Sequence, residues 1–258
     1  MMPLTRENLD ISVVIPARDE VENLPALAGE IESVLSRTSW TWEVVWMDDG
    51  SEDGGGDWLD RLARDKPAHR AVHLHPGRGQ SMALWVGFQR SRGRVIVTLD
   101  ADGQNDPRDI PALIQRVMDG EADMVNGYRR ERRDTWQRRI ASRVANGFRN
   151  RMTGKTVRDV GCSLRAFRRE CVIHLPLFRG LHRFLPTLAV DQGFRILEQP
   201  VNHRPRQKGT TKYTIHNRLW VGLWDVMGMR WLQKRGFYNY LQDPVREAGP
   251  GDPGQSLR

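Results

Sequence analysis

The chain has 258 residues, of which 39% are hydrophobic, so it is long enough to bury the core of one full α/β domain. Its formal net charge of +8 favours anionic partners such as nucleotides, phosphates, nucleic acid or acidic lipid. The two cysteines, Cys162 and Cys171, argue against a disulfide framework or a paired zinc site and fit a reducing cytosol. The sequence shows no signal-peptide core and no apolar run of the roughly 18 residues that a membrane span needs. We therefore expect a cytoplasmic protein that is soluble or peripheral to a membrane.

The first part of the chain alternates between short apolar runs and amphipathic stretches. Residues 11–15 form a β-branched run that Pro16 ends, which is typical of a buried parallel strand. The next apolar residues have helical spacing: Val21, Leu24, Leu27, Ile31 and Val34. We predict further strands at residues 43–47, 71–74 and 95–99, and further helices around residues 58–63 and 81–90. This alternation predicts a doubly wound, mostly parallel α/β sheet through about residue 125.

The composition changes in the second part of the chain. Nine arginines lie within residues 129–151, where Ile140, Val144 and Phe148 recur every four residues. This pattern predicts an amphipathic helix with a cationic face, or simply a solvated charged face. The remaining elements are a predicted late strand at residues 194–197 and 199–201, a basic loop at 204–212, a helix at 213–236 and a disordered tail at 237–258. We expect residues 1–212 to form one domain.

An acidic segment follows the strand predicted at residues 95–99. Asp100, Asp102 and Gln104 sit at alternating positions just past the strand, where open α/β sheets bind ligands. Mg²⁺ and Mn²⁺ prefer oxygen ligands, usually one or two carboxylates plus substrate phosphates. The segment therefore predicts a metal–diphosphate site, although Asp and Gly are also ordinary turn residues.

Polar motifs follow other predicted strands as well. Residues 16–20 (PARDE) come after the first strand and residues 48–51 (DDGS) after the second, while residues 206–212 (RQKGTTK) form a basic loop. A helix amino terminus with favourable acidic residues explains the first motif equally well, and a turn explains the second. The glycine pattern of a dinucleotide fold is missing after the first strand, and so is the phosphate loop of NTPases.

Six motifs in chain order resemble the inverting family 2 glycosyltransferases of GT-A fold. They are PARDEVENL, DDGSEDGG, LDADGQNDP, GYR, RDVGCSLRAFRR and RQKGTTKY. The most similar branch is that of the polyprenyl-phosphate glycosyltransferases, typified by dolichol-phosphate mannose synthase. The resemblance runs from about residue 11 to residue 213, over three-quarters of the chain. It implies inverting, metal-dependent transfer of a sugar from a UDP- or GDP-sugar to a polyprenyl phosphate at the cytosolic membrane face.

The resemblance also implies roles for individual residues. Those implied at the nucleotide sugar are Pro16, Arg18, Glu20, Asp48, Asp49, Asp100 and Ala101. Asp100, Asp102 and Gln104 would hold Mg²⁺ or Mn²⁺ against the donor diphosphate. Arg129 would face the phosphates, while Arg206 and Lys212 would grip phosphate groups from a loop able to close over the site. The residues to which the resemblance assigns a catalytic role are therefore Asp102, Arg129, Arg206 and Lys212.

The chain departs from the family pattern in two places. Arg18-Asp19 replaces the common Tyr-Asn, so the base preference is not carried over. Residues 162–165 (CSLR) stand where many relatives have Ser-Gly-Phe-Arg, which leaves the donor or acceptor role of that region open. Cys162 is equally well interpreted as a small buried residue. His73 and His75 alternate along a strand, and we predict that they are structural.

The acceptor chemistry fits the residues independently of the family. A phosphate monoester is already anionic near neutral pH because its second pKa is about 6. It therefore attacks the anomeric carbon without a strong base, and the protein has to position the reactants and stabilise the leaving diphosphate. The sugar stays open among mannose, glucose, an N-acetylhexosamine and a uronic acid.

The terminal helix bears on how a lipid acceptor is reached. Trp220, Trp224, Met227 and Trp231 fall on one stripe with basic flanks, which suits a helix lying in the membrane interface. The same stripe is also compatible with packing on the domain, with a homo-oligomer or with a membrane partner protein.

Three alternative functions compete with the one that the resemblance implies. The first is a glycosyltransferase with a soluble or saccharide acceptor. A sugar nucleotidyltransferase needs a glycine-rich loop after the first strand, which residues 16–23 do not supply. A nucleic-acid-binding protein would use the arginine-rich segment but leaves the carboxylates at three strand ends unexplained. We therefore expect no nucleic-acid partner.

Overall fold

A computed structural model of the chain describes residues 9–129, 152–154, 157–205 and 215–235. The strands are β1 (Leu9–Ala17), β2 (Trp42–Asp48), β3 (His69–His73), β4 (Gly93–Thr98), β5 (Met124–Arg129), β6 (Arg165–Arg168) and β7 (Ile196–Val201). The helices are α1 (Leu24–Leu35), α2 (Gly55–Asp65), α3 (Gln80–Arg90), α4 (Ile110–Met118), α5 (Glu170–Ile173), α6 (Leu181–Asp191) and α7 (Ile215–Arg235).

The strands form one seven-stranded sheet of order β3-β2-β1-β4-β6-β5-β7. Neighbouring strands are parallel from β3 through β4, and β7 is parallel to β5. Residues of β1 such as Val13 and Val14 are fully buried because helices cover both faces of the sheet. One core packs α1, α2 and α4 on one face, and the other packs α3, α5 and α6 on the opposite face. The predicted doubly wound, mostly parallel sheet is therefore confirmed.

The antiparallel strand β6 was not predicted. It lies between β4 and β5, with Thr98 opposite Arg165. Since the two strands run in opposite directions, the segment that enters β6 lies beside the segment that leaves β4. The motif at residues 158–165 is thereby brought to the same edge of the sheet as Asp100.

Several predicted boundaries need correction. Pro16 does not end β1, which continues to Ala17. Its ladder with β4 stops at Val14 while its ladder with β2 reaches Ala17, so the proline lies where only one neighbour needs main-chain hydrogen bonds. Helix α1 begins at Leu24, which leaves Val21 outside it. The late strand is one continuous element, β7, that starts later than predicted.

Helix α7 occupies most of the predicted terminal helical segment. Its described side chains divide between two faces: Val226 and Met229 are buried, whereas Trp224, Met227 and Trp231 are 70%, 50% and 65% exposed. The described part of the predicted stripe therefore does not pack on the domain. None of the helices in the described ranges combines the length and apolar character of a membrane span.

Some predictions lie outside the described residues. They are the amphipathic helix of the arginine-rich segment after residue 129, the basic loop at residues 206–212 with Arg206 and Lys212, and the tail at residues 237–258.

Candidate metal and nucleotide site

The predicted metal-binding residues form a tight turn directly after β4. Asp102 Oδ1 accepts a hydrogen bond from the main-chain N–H of Gln104 at 3.1 Å. Gly103 between them has φ +70°, a left-handed conformation that favours glycine. Asp100, Asp102 and Gln104 are all partly exposed at this edge of the sheet, while Ala101 is buried beneath them.

Neighbouring groups shape the electrostatics of Asp100. Loss of hydration and then the negative charge of Asp102 raise the pKa of Asp100 to about 6. The Ser163 hydroxyl and the cations Arg165 and Arg129 act in the opposite direction. Gln80, at the start of α3, donates from Nε2 to Asp100 Oδ1 at 2.8 Å. Asp100 is therefore held by polar side chains from separate elements.

The donor set fits a hard divalent cation. Two carboxylates and one amide supply only oxygen ligands, and the proximity of the carboxylates is unfavourable unless a positive charge offsets it. The described ranges contain no group of three or more His, Cys, Asp or Glu side chains that could hold a metal ion. If Asp100, Asp102 and Gln104 bind a cation as predicted, they supply only part of its ligands, and substrate phosphates would supply others.

The acidic residues after β2 are placed differently from those after β4. Asp48 and Asp49 are 5% and 4% exposed. Asp48 Oδ1 accepts the N–H of Ser51 at 2.9 Å, and its Oδ2 lies 2.9 Å from His73 Nδ1. Asp49 accepts main-chain N–H groups of the turn before α3. Their carboxyl oxygens therefore contact other parts of the chain.

His73 links Asp48 to α2. Its Nε2 lies 3.0 Å from Asp60 Oδ1, so the imidazole bridges two carboxylates. Partial burial acts to lower the pKa of His73, but the hydrogen bonds with Asp48 and Asp60 raise it overall. This arrangement agrees with the structural role predicted for His73.

The residues after β1 lie at the same edge of the sheet. Pro16 is part of the strand, and the side chain of Arg18 is 53% exposed. Glu20 accepts a hydrogen bond from Asn23 Nδ2 at 2.6 Å, immediately before α1. The N–H of Asp19 donates to the Ser51 hydroxyl at 3.0 Å, which ties the PARDE segment to the segment after β2.

Arg129 lies at the end of β5 and forms a bidentate ion pair with Asp159. Its Nε is 2.7 Å from Asp159 Oδ2, and its terminal Nη2 is 2.9 Å from Oδ1. The pair is largely buried, with side-chain exposures of 18% and 9%. Arg129 is nevertheless close enough to Asp100 to lower the pKa of that carboxyl. Its positive charge is therefore held at the predicted phosphate edge by Asp159.

The residues from 159 to 165 are functional candidates that the sequence indicated only as a motif. Arg165 is 3% exposed and donates to Asn126 Oδ1 at 2.9 Å and to the carbonyl of Val160 at 2.6 Å. Burial lowers the pKa of Arg165, and the nearby carboxylates Asp100 and Asp159 oppose that shift. A buried guanidinium thus lies behind the turn that carries the predicted metal ligands.

Ser163 and Cys162 lie in the same segment. The Ser163 hydroxyl accepts a hydrogen bond from Asn105 Nδ2 at 2.7 Å, and its carbonyl accepts one from the Thr98 hydroxyl. Cys162 is 1% exposed, and burial raises the pKa of its thiol to about 11. The burial of Cys162 agrees with its interpretation as a small buried residue.

The segment after β7 is fastened to the predicted metal-binding turn. The N–H of Arg204 donates to the carbonyl of Gln104 at 2.8 Å, and its guanidinium lies 2.8 Å from Asp106. Although burial opposes it, hydrogen bonds from Arg108 and Arg204 lower the pKa of Asp106 to about 2. These contacts hold Arg204 beside the predicted metal-binding turn, two residues before Arg206.

Sequence comparison identifies the family. Residues 12–175 match the family described as glycosyl transferase family 2. The chain is 38% identical over 207 residues to undecaprenyl-phosphate 4-deoxy-4-formamido-L-arabinose transferase of Pectobacterium atrosepticum, across 80% of this chain and 63% of that protein. The protein of the same name from Aeromonas hydrophila is 37% identical over 206 residues, with the same coverage. The chain thus spans slightly less than two thirds of the length of these relatives.

Structural comparison identifies the fold. Glucosyl-3-phosphoglycerate synthase from Mycobacterium tuberculosis, in complex with Mn²⁺, UDP and phosphoglyceric acid, is similar with a TM-score of 0.64 and 20% identity. The match covers 90% of this chain and 80% of that chain. A mannosyltransferase from Pyrobaculum calidifontis, in complex with GDP-Man and Mn²⁺, has a TM-score of 0.60 and 19% identity, with 93% and 66% covered. The predicted GT-A fold is confirmed, and the chain belongs to glycosyl transferase family 2.

Proposed function

We propose that the chain transfers a sugar, with inversion, from a UDP- or GDP-sugar to a polyprenyl phosphate at the cytosolic face of a membrane. The observation that carries the proposal is the carboxylate turn after β4 in a chain that is 38% identical to an undecaprenyl-phosphate sugar transferase. The paired carboxylates suit a metal-bound diphosphate, and the similarity to undecaprenyl-phosphate sugar transferases indicates the class of acceptor.

Asp100, Asp102 and Gln104 are the proposed ligands of Mg²⁺ or Mn²⁺. Solved structures of the same fold contain Mn²⁺ together with UDP or GDP-Man, which supports a divalent cation. When bound, the cation offsets the charge that develops on the leaving diphosphate. Arg129, held by Asp159, adds a fixed positive charge near Asp100.

Acceptor activation needs little from the protein. A polyprenyl phosphate carries its nucleophilic oxygen as an anion near neutral pH, because the second pKa of a phosphate monoester is about 6. The protein's contribution is then to hold the phosphate in line with the anomeric carbon. Arg206 and Lys212 are the cations proposed for this task, and they follow the segment that Arg204 fastens to the metal-binding turn.

The exposed face of α7 supports attachment to a membrane surface. Trp224, Met227 and Trp231 are at least half exposed on that face. The other face is fastened to the domain, because Arg183 pairs with Asp225 at 3.0 Å. Indole rings favour the boundary between lipid and water, where one edge stays hydrated.

The charges near these aromatic residues fit an anionic lipid surface. Arg230, Lys234 and Arg235 are exposed on the same helix. Each basic residue near an anionic bilayer contributes about 1 kcal/mol of attraction. We therefore propose that α7 lies flat against the membrane that contains the acceptor.

A panel of UDP- and GDP-sugars tests the reaction. Full-length chain is incubated with each donor, a short polyprenyl phosphate and Mn²⁺, and the lipid product is followed by thin-layer chromatography. We expect product from at least one donor and its loss when the cation is chelated. Transfer only to soluble phosphorylated acceptors would contradict the lipid-acceptor proposal.

Vesicle sedimentation tests the membrane contact. We expect the chain to sediment with vesicles containing phosphatidylglycerol, and the double variant Trp224→Ser, Trp231→Ser to bind at least tenfold more weakly, because it loses two interfacial indoles. Leu177→Ser is the matched control, since Leu177 is 42% exposed outside α7. Equal sedimentation of the double variant and the control, or loss of a dimer without loss of vesicle binding, would overturn this contact.

A further inference from the structure

Gln80 connects the metal-binding turn to the rest of the sheet edge. It is the first residue of α3, and its Nε2 donates to Asp100 Oδ1 at 2.8 Å. A hydrogen bond to one carboxylate oxygen limits rotation of the carboxylate and gives the second oxygen a defined direction. Because the amide is neutral, it orients Asp100 without competing electrostatically with a cation.

Asp49 holds the turn that leads into α3. Its Oδ1 accepts the main-chain N–H groups of Arg78 at 2.6 Å and Gly79 at 2.9 Å, and its Oδ2 lies 2.8 Å from the Gly79 nitrogen. The main chain of Asp49 is itself fixed, since its N–H donates to the carbonyl of Ala17 at 2.9 Å. The position of the turn is therefore set by the ends of β1 and β2.

The turn also packs too closely for any residue but glycine at position 77. A Cβ on Gly77 would lie 2.2 Å from the carbonyl oxygen of Asp49, which is far inside van der Waals contact. Gly79 has φ +90°, a conformation that L side chains rarely adopt. The start of α3 therefore has little freedom to move relative to Asp49.

We propose that Gln80 is a positioning residue for Asp100, and that Asp49 fixes the place of Gln80 through the turn at residues 77–79. These contacts join the end of β2 to the end of β4 across the end of β1, which lies between them. The inference rests on the proposed function, since Asp100 is a proposed ligand of the cation.

Cation affinity of the full chain tests this role directly. Free Mn²⁺ is measured by electron paramagnetic resonance at a fixed concentration of UDP or GDP, whichever the wild-type chain binds. We expect Gln80→Met, which keeps the length of the side chain but removes the donor, to weaken Mn²⁺ binding by about tenfold, as is usual when a partner of a metal ligand is lost. Asp49→Asn should weaken it by a smaller factor, because it acts through the turn.

The matched control lies at the other end of the same helix. Gln89 Nε2 donates to the carbonyl of Ile173 at 2.7 Å, so Gln89→Met also removes one amide hydrogen bond from α3. We expect Gln89→Met to bind Mn²⁺ as the wild-type chain does. We also expect added Mn²⁺ to restore most of the transfer rate of Gln80→Met, which it would not do for a folding defect.

The possible outcomes separate the two proposals. If the wild-type chain shows no Mn²⁺-dependent binding of either UDP or GDP, the proposed function is wrong. If the wild-type chain binds Mn²⁺ and Gln80→Met binds it equally well, only the positioning role is overturned. A parallel loss of affinity in both glutamine variants would likewise overturn that role, because the effect would then come from α3 as a whole.

Discussion

The two acidic strand ends of this sheet have similar sequences but different surroundings. After β2, Asp48 and Asp49 are 5% and 4% exposed, and their oxygens contact main-chain N–H groups and His73. After β4, Asp100 and Asp102 are partly exposed and lie close together, and loss of hydration and then the charge of Asp102 raise the pKa of Asp100. The first pair holds loops in place, and the second is suited to a cation.

The difference shows that the acidic residues at two strand ends of one sheet have different partners within the protein. A buried carboxylate that accepts several main-chain N–H groups is stabilised in its charged form by the fold. A carboxylate beside a like charge is destabilised in its charged form, and a bound cation removes that destabilisation. Substitutions in the two pairs should therefore affect different properties.

The largest expected effect is on catalysis. Asp102→Asn should lower the transfer rate by about 100-fold or more, because it removes the charge of a proposed ligand of the cation. The free energy of unfolding should change by less than about 0.5 kcal/mol, since Asp102 is partly exposed. Initial rates with the preferred donor and urea denaturation measure the two properties. Near-wild-type activity in this variant would exclude Asp102 as a metal ligand.

The next effect is on stability. Asp49→Asn should lower the free energy of unfolding by about 2 kcal/mol, because it leaves main-chain N–H groups of Arg78 and Gly79 poorly satisfied. Urea denaturation measures this change in the free energy of unfolding, and Asp119→Asn is the control. Within the described ranges, the Asp119 carboxylate accepts a hydrogen bond only from the exposed side chain of Gln115. A variant as stable as this control would show that the distinction between the two acidic pairs is wrong.

The smallest effect concerns pH. Because Asp48 and Asp60 raise the pKa of His73 above its ordinary 6.5, the folded chain binds this proton more tightly than the unfolded chain does. The resulting stabilisation is complete below about pH 6.5 and is lost as the pH rises through the folded-state pKa. We expect this stabilisation to be at most about 0.5 kcal/mol, since the side chain of His73 is 38% exposed. In urea denaturation, His73→Gln should reduce the change of unfolding free energy with pH between about pH 6 and about pH 9. An unchanged pH dependence would contradict the stabilisation of protonated His73 by Asp48 and Asp60.

Periodicity alone was enough to predict the parallel strands β1 to β4, whereas β5 was not predicted. Runs such as residues 11–15 are apolar at every position because both of their faces are buried, and this pattern has few interpretations at such a length. The predicted α3 is likewise confirmed to within one residue. Strand β6 escaped prediction because its four residues include Arg165 and Arg168, whose charges obscure any strand pattern.

The candidate site likewise contains residues that the local sequence predicts and residues that it does not. Asp100, Asp102 and Gln104 were found because ligands bind after parallel strands, a rule that needs only local sequence. Gln80 and Asp159 were not assigned a role, because each acts on a residue far away in the chain, namely Asp100 and Arg129. Pairings of this kind leave no signal at a fixed spacing.

The sequence by itself determined the α/β class, the family and the oxygen-rich turn after β4, because hydrophobic period and motif order are local properties of the chain. Only the tertiary structure decided which acidic residues hold loops and which are suited to a cation. The role of each carboxylate depends on the hydrogen-bond donors that it contacts. These donors come from β3, from the turn before α3, from α3 itself and from the segment before β6. The antiparallel insertion of β6 brings that segment beside Asp100, so the chemistry of the turn after β4 depends on residues from across the chain.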